Sequence, residues 1–392
     1  MKKYNWQLME NNITFDDKKS LINFIKNSDN FTNGKKVKEF EKKWSNWLGV
    51  KYSTFVNSGS SANFLTLKII KELSKNKNEI IVPAFTWNSD IVSIISAGLK
   101  PIFVDINLNN LALDEQKVIK KINYKTAGVF ITHAMGFVGL SKKLVNFLKK
   151  KKIFLIEDAC ESHGAKLGNK KVGAIGDVSN FSFYYSHHMS TIEGGMISTN
   201  SKIIDSFAKI KRGHGLLRET TNLNYKKEIK KKYKDLNTDF IFATEGFNLR
   251  NTELAAVIGI EQLKRLNKNI IKRNINHKIF LKYLRKDIFF TEFNLTGSSN
   301  YALHFILKEK NKKIFNKLLN ILIKNKIEFR VGSAGGGNQL RQPYLKQFSN
   351  RKLISELKNT EHMHFYSLYV GNYPSLSKNK ILKLCKNINK NI

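Results

Sequence analysis

The sequence predicts an α/β protein built on a mainly parallel β-sheet. Through the first half of the chain, short apolar runs that indicate buried strands alternate with segments of helical spacing, which is the order of βαβ units. At 392 residues the chain is longer than one hydrophobic core usually supports, so a large and a smaller domain are expected. Polar motifs follow several of the strands, and ligands of parallel sheets gather at those strand ends.

The first elements can be placed in order along the chain. Residues 40–48 have the apolar spacing of an amphipathic helix. Buried strands are predicted by continuous apolar runs at residues 52–56, 79–82, 101–104, 128–132 and 153–156. Helices are predicted between them at residues 62–73, 91–97 and 141–149.

The later elements indicate where the chain leaves the large domain. A lysine-rich helical stretch is predicted from about residue 257 to residue 284. Apolar runs of a smaller α+β domain follow it at residues 301–307, 314–323 and 380–384. The predicted division is a large domain over residues 1–260 and a small C-terminal domain, with the linking helix, over residues 261–392.

The formal net charge of +37, from 68 Lys+Arg against 31 Asp+Glu, raises the possibility of nucleic-acid binding. The lysines are nevertheless spread along the whole chain, and the densest run, residues 225–234, holds two tyrosines and no RNA-binding signature. This distribution favours a solvated lysine-rich surface. The same positive field would favour an anionic substrate such as a nucleotide-sugar.

The cysteines and the N-terminus indicate the compartment. Cys160 and Cys385 are far apart and fit no metal spacing, so we expect no metal site and a reducing cytoplasm. Residues 1–6 are polar, without an apolar signal segment. No apolar run reaches the roughly 18 residues that span a membrane, so we expect a cytoplasmic protein without a membrane partner.

A small-residue motif, Asn57-Ser58-Gly59-Ser60-Ser61, lies between a predicted strand and a predicted helix. Glycine and small residues at a helix N-terminus allow backbone N–H groups and hydroxyls to surround a phosphate. For an isolated motif of this kind, a serine-rich helix cap is the favoured interpretation. Both interpretations stay open from the residues alone.

Acidic side chains end one buried strand, and an aromatic side chain follows another. Asp158 and Glu161 come after the run at residues 153–156, where a carboxylate can hold a cofactor's ring nitrogen protonated so that the ring accepts electrons. The alternative is an acidic N-cap with His163 in the core. Trp87 would either stack on a flat ring or pack as a core tryptophan.

Two adjacent histidines, His187 and His188, occupy a polar turn after a buried strand, and a second short strand at residues 196–199 follows a Glu-Gly-Gly corner. A metal site would need a third ligand, and none stands at suitable spacing. Proton transfer is favoured, because imidazole titrates near neutral pH. A core histidine remains an alternative for His188.

Taken together and in this order, the motifs from about residue 32 to residue 374 resemble the DegT/DnrJ/EryC1/StrS family of sugar aminotransferases, which use pyridoxal phosphate (PLP). The resemblance implies fold type I, the aspartate-aminotransferase-like fold. In that family the cofactor lysine sits three residues after the aromatic residue matched by Tyr184. His187 holds that place, and no lysine occurs between Lys171 and Lys202. The cofactor would therefore be bound without a covalent bond.

The resemblance also implies which residues would meet the cofactor's phosphate. Ser60 and Ser61 would contact it through the turn at Gly59, together with Ser182. Asn248 would reach the phosphate of a neighbouring subunit, although a capped polar turn explains its segment too. A homodimer with shared active sites is implied.

The cofactor's ring would be held by a second group of residues in the same resemblance. Trp87 would stack on the ring, Asp158 would pair with its nitrogen, and Glu161 would lie near its hydroxyl, where the family often has glutamine. His187 would be the catalytic acid and base.

Histidine at the lysine position is similar to the sugar 3-dehydratases of this family. Their iron–sulfur type needs several cysteines, and this chain has two, so the cluster-independent type matches better. The predicted reaction is removal of the C3 hydroxyl from a nucleotide-linked 4-keto-6-deoxy sugar, with the GDP-linked form favoured. It would use PLP and pyridoxamine phosphate (PMP), take its amino group from L-glutamate, release ammonia, and serve deoxysugar and lipopolysaccharide biosynthesis.

Three alternatives remain open from the sequence. The first is a nucleotide-sugar 4-aminotransferase of the same family that uses a lysine from elsewhere. The second is a non-catalytic homologue that binds nucleotide-sugar or PLP, and the third is a nucleic-acid-binding protein driven by the positive charge. The glycine-rich segment at residues 330–339 matches no motif securely, which leaves the sugar undetermined.

Overall fold

The computed structural model describes residues 4–332 and 334–392. Its strands are β1 (Tyr52–Val56), β2 (Glu79–Pro83), β3 (Lys100–Val104), β4 (Ile106–Asn107), β5 (Ala112–Leu113), β6 (Thr126–Thr132), β7 (Phe154–Asp158), β8 (Lys166–Leu167), β9 (Lys170–Lys171), β10 (Val178–Ser182), β11 (Gly195–Thr199), β12 (Ala302–Ile306), β13 (Phe329–Val331) and β14 (Ser367–Gly371). Its α-helices are α1 (Phe15–Lys26), α2 (Lys35–Leu48), α3 (Gly59–Leu73), α4 (Asn88–Ser96), α5 (Glu115–Lys121), α6 (Lys142–Lys151), α7 (Lys202–Arg212), α8 (Leu223–Lys232), α9 (Glu253–Tyr283), α10 (Lys312–Lys324), α11 (Arg351–Glu356), α12 (Lys358–Tyr366) and α13 (Lys378–Asn391). Short 3₁₀ turns lie at Ala134–Gly136, Leu217–Glu219, Ala334–Gly336, Gln339–Arg341 and Pro343–Phe348.

A seven-stranded sheet with the order β1-β11-β10-β7-β6-β2-β3 forms the centre of the molecule. Strand β11 runs antiparallel to both of its neighbours, and the pairs from β10 to β3 are parallel. The α/β fold with a mainly parallel sheet is therefore confirmed. Six strands, all but β11, end at the same edge of the sheet, which is where ligands of such sheets bind.

Helices cover both faces of this sheet, so strands such as β2 carry continuous apolar runs and are buried on both sides. On β2, Ile80 and Val82 pack in a cluster that includes the α4 residue Ile91. Ile81, between them, packs in the opposite cluster with the α6 residue Leu144. This burial on both faces explains why continuous apolar runs identified the strands in the sequence.

A smaller antiparallel sheet, β12-β14-β13, lies in the C-terminal part of the chain. Helices α10 and α13 share its core, together with the end of α9. The N-terminal segment joins this part: Trp6 pairs with Ile327, and its indole N–H donates to the Gly371 carbonyl at 3.0 Å.

The predicted boundary at residue 260 falls inside α9, a helix of 31 residues. The seven-stranded sheet lies before this helix and the three-stranded sheet lies after it. Leu340, Leu345 and Leu357, from the C-terminal part, pack in the core of the large sheet. The division at residue 260 stays a prediction. Among the described helices, none combines the length and apolar character of a membrane span.

Candidate active site

A cavity of about 960 Å³ opens at the carboxyl edge of the parallel strands. The loops after β1, β2, β7 and β10 line one side of it, and β13 and β14 contribute to the other. Seven of the nine residues that the sequence singled out border this cavity, namely Gly59, Ser60, Trp87, Asp158, Glu161, Ser182 and His187. The fold therefore brings together motifs that are spread over more than a hundred residues.

The turn between β1 and α3 has the form of a phosphate cradle. Ser58 is the N-cap of α3, and its hydroxyl accepts the Ser61 N–H at 3.0 Å and lies 2.9 Å from the Ser61 hydroxyl. A β-carbon on Gly59 would lie 2.6 Å from the β-carbon of Ser182, so only glycine permits this close approach. The cap interpretation thus applies to Ser58 and Ser61, while Ser60 and Ser182 border the cavity.

Trp87 precedes α4 and projects into the cavity rather than into the core. Its side chain is 59% exposed and lines the cavity, so the alternative of a packed core tryptophan is wrong. An aromatic face left uncovered beside a phosphate cradle suits stacking on a flat ring.

Asp158, the last residue of β7, belongs to a buried polar network. Its two carboxylate oxygens accept the Asn63 amide at 3.0 Å and the Cys160 N–H at 2.9 Å. The same Asn63 nitrogen donates to a second carboxyl group, that of Asp90, at 2.8 Å. Sequence reasoning missed Asn63 and Asp90; Asp90 lies in the first turn of α4, where an acidic residue is common and gives no signal of its own.

Glu161 borders the cavity in a partly exposed position beside the loop after β6. Its carboxylate accepts the Met135 N–H at 2.8 Å. Burial raises the pKa of Glu161 to about 7, against the stabilising N–H of Met135 and with a smaller contribution from the charge of Asp158. This side chain therefore changes its charge near neutral pH.

The two adjacent histidines occupy different environments. His187 is partly exposed and borders the cavity. His188 is 2% exposed, and its Nε2 lies 2.5 Å from the Ser299 carbonyl oxygen. The core interpretation thus describes His188, and His187 is the histidine that can meet a bound molecule. Within the described residues, no group of three or more acidic, histidine or cysteine side chains is arranged to hold a metal ion.

A buried arginine stands behind the histidines. Arg273, on α9, is 2% exposed, and its guanidinium donates to the backbone carbonyls of Tyr301, at 3.0 Å, and Asn372. Burial, assisted by the positive charge of Arg273, lowers the pKa of His187 to about 3. The imidazole is therefore neutral at physiological pH, the state in which it accepts a proton. Arg273 lies in mid-helix and left no local signal in the sequence.

Of the described residues that line the cavity, none is a lysine, and Arg330 on β13 is the one arginine. The nearest lysines along the chain, Lys171 and Lys202, lie on β9 and at the start of α7. No lysine from another described segment therefore takes the place of the family's cofactor lysine in this cavity.

Asn248 is exposed and does not border the cavity of its own chain. It forms a backbone bridge with Gly213. The predicted contact with the phosphate of a neighbouring subunit stays a prediction.

The glycine-rich segment packs against the Trp87 loop and walls one side of the cavity through Gly335 and Gly336. Gly335 has a φ of +59°, and a β-carbon on it would lie 2.4 Å from the Thr86 carbonyl oxygen. Glycine is required there by both conformation and space. Ser333, within the segment singled out in the sequence, lies outside the described residues.

These residues fit the PLP that the sequence resemblance implies. The Gly59 turn, which a side chain would fill, suits a phosphate at a helix N-terminus. Trp87 leaves an aromatic face open, and Asp158 presents a carboxylate at the strand end. The geometry provides places for a phosphate, a flat ring and a ring nitrogen.

Comparison with known proteins gives a consistent result. The model of the DegT/DnrJ/EryC1/StrS aminotransferase family matches residues 13–389. The GDP-4-keto-6-deoxy-D-mannose 3-dehydratase of Yersinia pseudotuberculosis is 32% identical over 366 residues, 92% of each chain. The enzyme of the same name from Escherichia coli O55:H7 is 31% identical, over 92% of this chain and 94% of its own.

Solved structures are similar over nearly the whole chain. The E. coli GDP-4-keto-6-deoxy-D-mannose-3-dehydratase with bound hydrated PLP has a TM-score of 0.87 at 28% identity, covering 98% of this chain and 99% of its own. A GDP-4-keto-6-deoxymannose-3-dehydratase with a trapped PLP-glutamate geminal diamine has the same score and identity, covering 98% and 100%. A histidine-to-asparagine variant of GDP-4-keto-6-deoxymannose-3-dehydratase with bound GDP-perosamine has a TM-score of 0.87 at 29% identity, covering 98% of this chain and 100% of its own.

Proposed function

The chain belongs to the DegT/DnrJ/EryC1/StrS aminotransferase family, and we propose that it is a PLP- and PMP-dependent 3-dehydratase of a GDP-linked 4-keto-6-deoxy sugar. The observation that carries this proposal is His187 at the family's lysine position, bordering a cavity that no described lysine lines. Relatives of that activity match the chain over most of its length. Deoxysugar and lipopolysaccharide biosynthesis is the corresponding process.

The chain's own residues would hold the cofactor in two groups. Ser60, Ser182 and the turn at Gly59 would hold the phosphate. Trp87 would cover a face of the ring, and Asp158 would face its nitrogen. When bound, the cofactor supplies an electron sink and, after reaction with L-glutamate, the amino group that engages the sugar ketone.

His187 would carry the proton that dehydration requires. Burial and the charge of Arg273 lower the pKa of His187 to about 3, so its imidazole is neutral before the reaction. A neutral imidazole has a ring nitrogen that can accept a proton, which it would return to the departing C3 hydroxyl group. An imidazole, unlike a lysine amine, cannot hold the cofactor covalently. The chain would therefore release a dehydrated sugar and ammonia instead of an amino sugar.

The sugar nucleotide would be drawn in by the positive surface and held partly by Arg330. The net charge of +37 raises the local concentration of an anionic substrate. Arg330 borders the cavity and lies 4.0 Å from Glu328, a loose contact that leaves its guanidinium available. GDP is favoured as the nucleotide because the similar dehydratases act on GDP-linked sugars by name.

A homodimer with shared active sites is part of the proposal. Leu236, Phe240 and Phe242 are 45–61% exposed in the segment that leads to Asn248. We propose that a second copy covers these apolar side chains and that Asn248 then reaches the phosphate of the neighbouring subunit, as the family resemblance implies. Light scattering after size-exclusion chromatography would measure the mass, and Asn248→Ala should weaken PLP binding without changing that mass. A monomer that binds PLP fully would contradict the shared site.

The working compartment is proposed to be the cytoplasm. Cys160 and Cys385 are both free thiols in the structure, and unpaired cysteines fit a reducing compartment.

The direct test incubates the protein with PLP, L-glutamate and GDP-, CDP- and UDP-linked 4-keto-6-deoxy sugars, and measures ammonia and 3-deoxy product together. The proposal expects both products from a GDP-linked sugar. Formation of a 4-amino sugar without ammonia would select the aminotransferase alternative, and PLP absorbance without turnover would select a non-catalytic homologue. Borohydride treatment of the PLP-loaded protein should trap no covalent adduct.

A further inference from the structure

Two carboxyl groups, those of Asp90 and Asp158, lie together at the cavity and share one donor. Asp90 is fully buried and Asn63 is 1% exposed. The Asn63 nitrogen donates to Asp90 at 2.8 Å and to Asp158 at 3.0 Å. An amide nitrogen carries two hydrogens, and its third contact, with the Ser89 hydroxyl, is longer at 3.4 Å. One hydrogen is therefore available for each carboxyl group, and the amide links the two.

The other oxygen of Asp90 faces two hydroxyl groups. The Thr132 hydroxyl lies 2.9 Å from it, and the Thr86 hydroxyl also contacts it. These two hydroxyls lie 2.7 Å from each other, and either can donate. Hydroxyls accept as well as donate, so this corner also accommodates a protonated carboxyl group of Asp90 when one hydroxyl turns to accept its proton.

The surroundings oppose a second negative charge. Burial, and then the charge of Asp158, hold the pKa of Asp90 well above its usual range. The two threonine hydroxyls partly offset this rise, and among described residues no cation is one of the groups that act most strongly on Asp90. Asp158 additionally receives the Cys160 N–H at 2.9 Å. Two carboxyl groups that share a site in this way keep one proton between them.

We propose that Asp90 is a positioning residue that retains its proton and, through the shared Asn63 amide, aims the single negative charge of Asp158 into the cavity. The part of this inference that concerns the cofactor rests on the proposed function, because that charge would face the ring nitrogen. The arrangement presents one carboxylate to the ring, held in a fixed orientation, instead of two that repel each other.

The protonation is tested on cofactor-free wild-type protein by infrared spectroscopy. Protein labelled with ¹³C at the aspartate carboxyl should show, at pH 7, the carbonyl stretch of a protonated, buried carboxylic acid that shifts in deuterated buffer. Asp90→Asn should remove that band. Its absence from the wild type would overturn the proposal, whether or not any variant folds.

The positioning role is tested by PLP binding, measured through quenching of tryptophan fluorescence. Asp90→Asn should keep PLP affinity within about threefold, because the amide is a neutral isostere of the protonated acid. The matched variant Asp158→Asn should lose at least about a hundredfold in PLP affinity, because the protonated ring nitrogen of the cofactor would be left without a negative partner. Asn63→Leu should lose about tenfold, because both carboxyl groups lose their common donor.

The outcomes separate this inference from the proposed function. An Asp90→Asn variant that binds PLP as weakly as Asp158→Asn would show that Asp90 carries charge, which overturns the inference. Asn63→Leu with wild-type affinity would overturn the positioning role. Wild-type protein that binds no PLP would contradict the proposed function, and the infrared result would still decide the protonation of Asp90.

Discussion

Replacing His187 by asparagine is expected to lower dehydration by about 10²–10⁴-fold, the usual contribution of a positioned general acid or base. The amide is similar in size but has no basic ring nitrogen that can accept a proton. The matched variant His188→Asn removes the contact with the Ser299 carbonyl in a side chain that does not line the cavity. It is expected to lower the free energy of unfolding by about 1–3 kcal/mol, while turnover of the folded protein stays close to wild type.

The environment of His187 makes the prediction more specific. With a pKa of about 3, the imidazole is about 0.1% protonated at pH 6, whereas an unperturbed histidine would be about three-quarters protonated. Its ¹⁵N resonances should therefore not titrate between pH 5 and pH 8. Replacing Arg273 by methionine removes the cationic contribution and should raise this pKa, although burial, the larger cause, remains.

Ammonia and 3-deoxy product are measured in single turnovers of PMP-loaded protein, and imidazole titration is followed by NMR in the cofactor-free protein. Full dehydration by His187→Asn would refute its role as the base. Loss of turnover in His188→Asn at unchanged stability would show that His188, and not His187, transfers the proton. An imidazole of His187 that titrates near pH 6.5 would refute the account of its environment.

Three further expectations concern the cradle, the acid beside it and the buried core. Gly59→Ala should weaken PLP binding about tenfold in fluorescence titrations, because its methyl group would lie 2.6 Å from the β-carbon of Ser182; unchanged affinity would contradict the cradle. Glu161→Gln should abolish an ionisation near pH 7 in the pH profile of PLP affinity, because the wild-type carboxyl group is neutral below its pKa of about 7 and negative above it. His277 and His304 are fully buried, and burial lowers the pKa of each to about 3. Below pH 6.5 the unfolded chain therefore binds more protons than the folded chain. The free energy of unfolding should fall by about 2 kcal/mol for each histidine between pH 7 and pH 5. Urea denaturation at pH 5 and pH 7 measures this fall, and a His277→Leu/His304→Leu double variant with an undiminished pH dependence would contradict it.

The large sheet was predictable because its strands are buried on both faces. Their apolar runs are continuous, and the five strands predicted before residue 160 appear with ends within two residues of those expected. Other features left no local pattern. The pairing of Trp6 with Ile327 joins distant parts of the chain, and α8 has no buried residue and hence no apolar face that periodicity reveals.

The residues of the site fall into the same two groups: a local sequence pattern indicates some of them, and only the tertiary structure indicates the others. His187 and Asp158 lie in turns or at strand ends, where polar residues interrupt an apolar pattern and attract attention. Asn63, Asp90 and Arg273 lie inside helices, where a single polar residue resembles many solvated ones. Their importance comes from neighbours contributed by other segments, which only the fold brings together.

The contrast between the surface and the cavity bears on the alternative of nucleic-acid binding. The chain carries a net charge of +37, yet its described cavity lining contains several carboxyl groups and a single arginine, Arg330. A site for a polyanion would concentrate lysine and arginine where the ligand lies. The described cavity lining does not concentrate such charge: His187 is neutral, and Asp158 and Glu161 border the cavity. The overall positive charge attracts a small anion. Inside the cavity the uncharged base, His187, would act on the nucleotide-linked sugar, while the Asp158 carboxyl group would face the cofactor's ring.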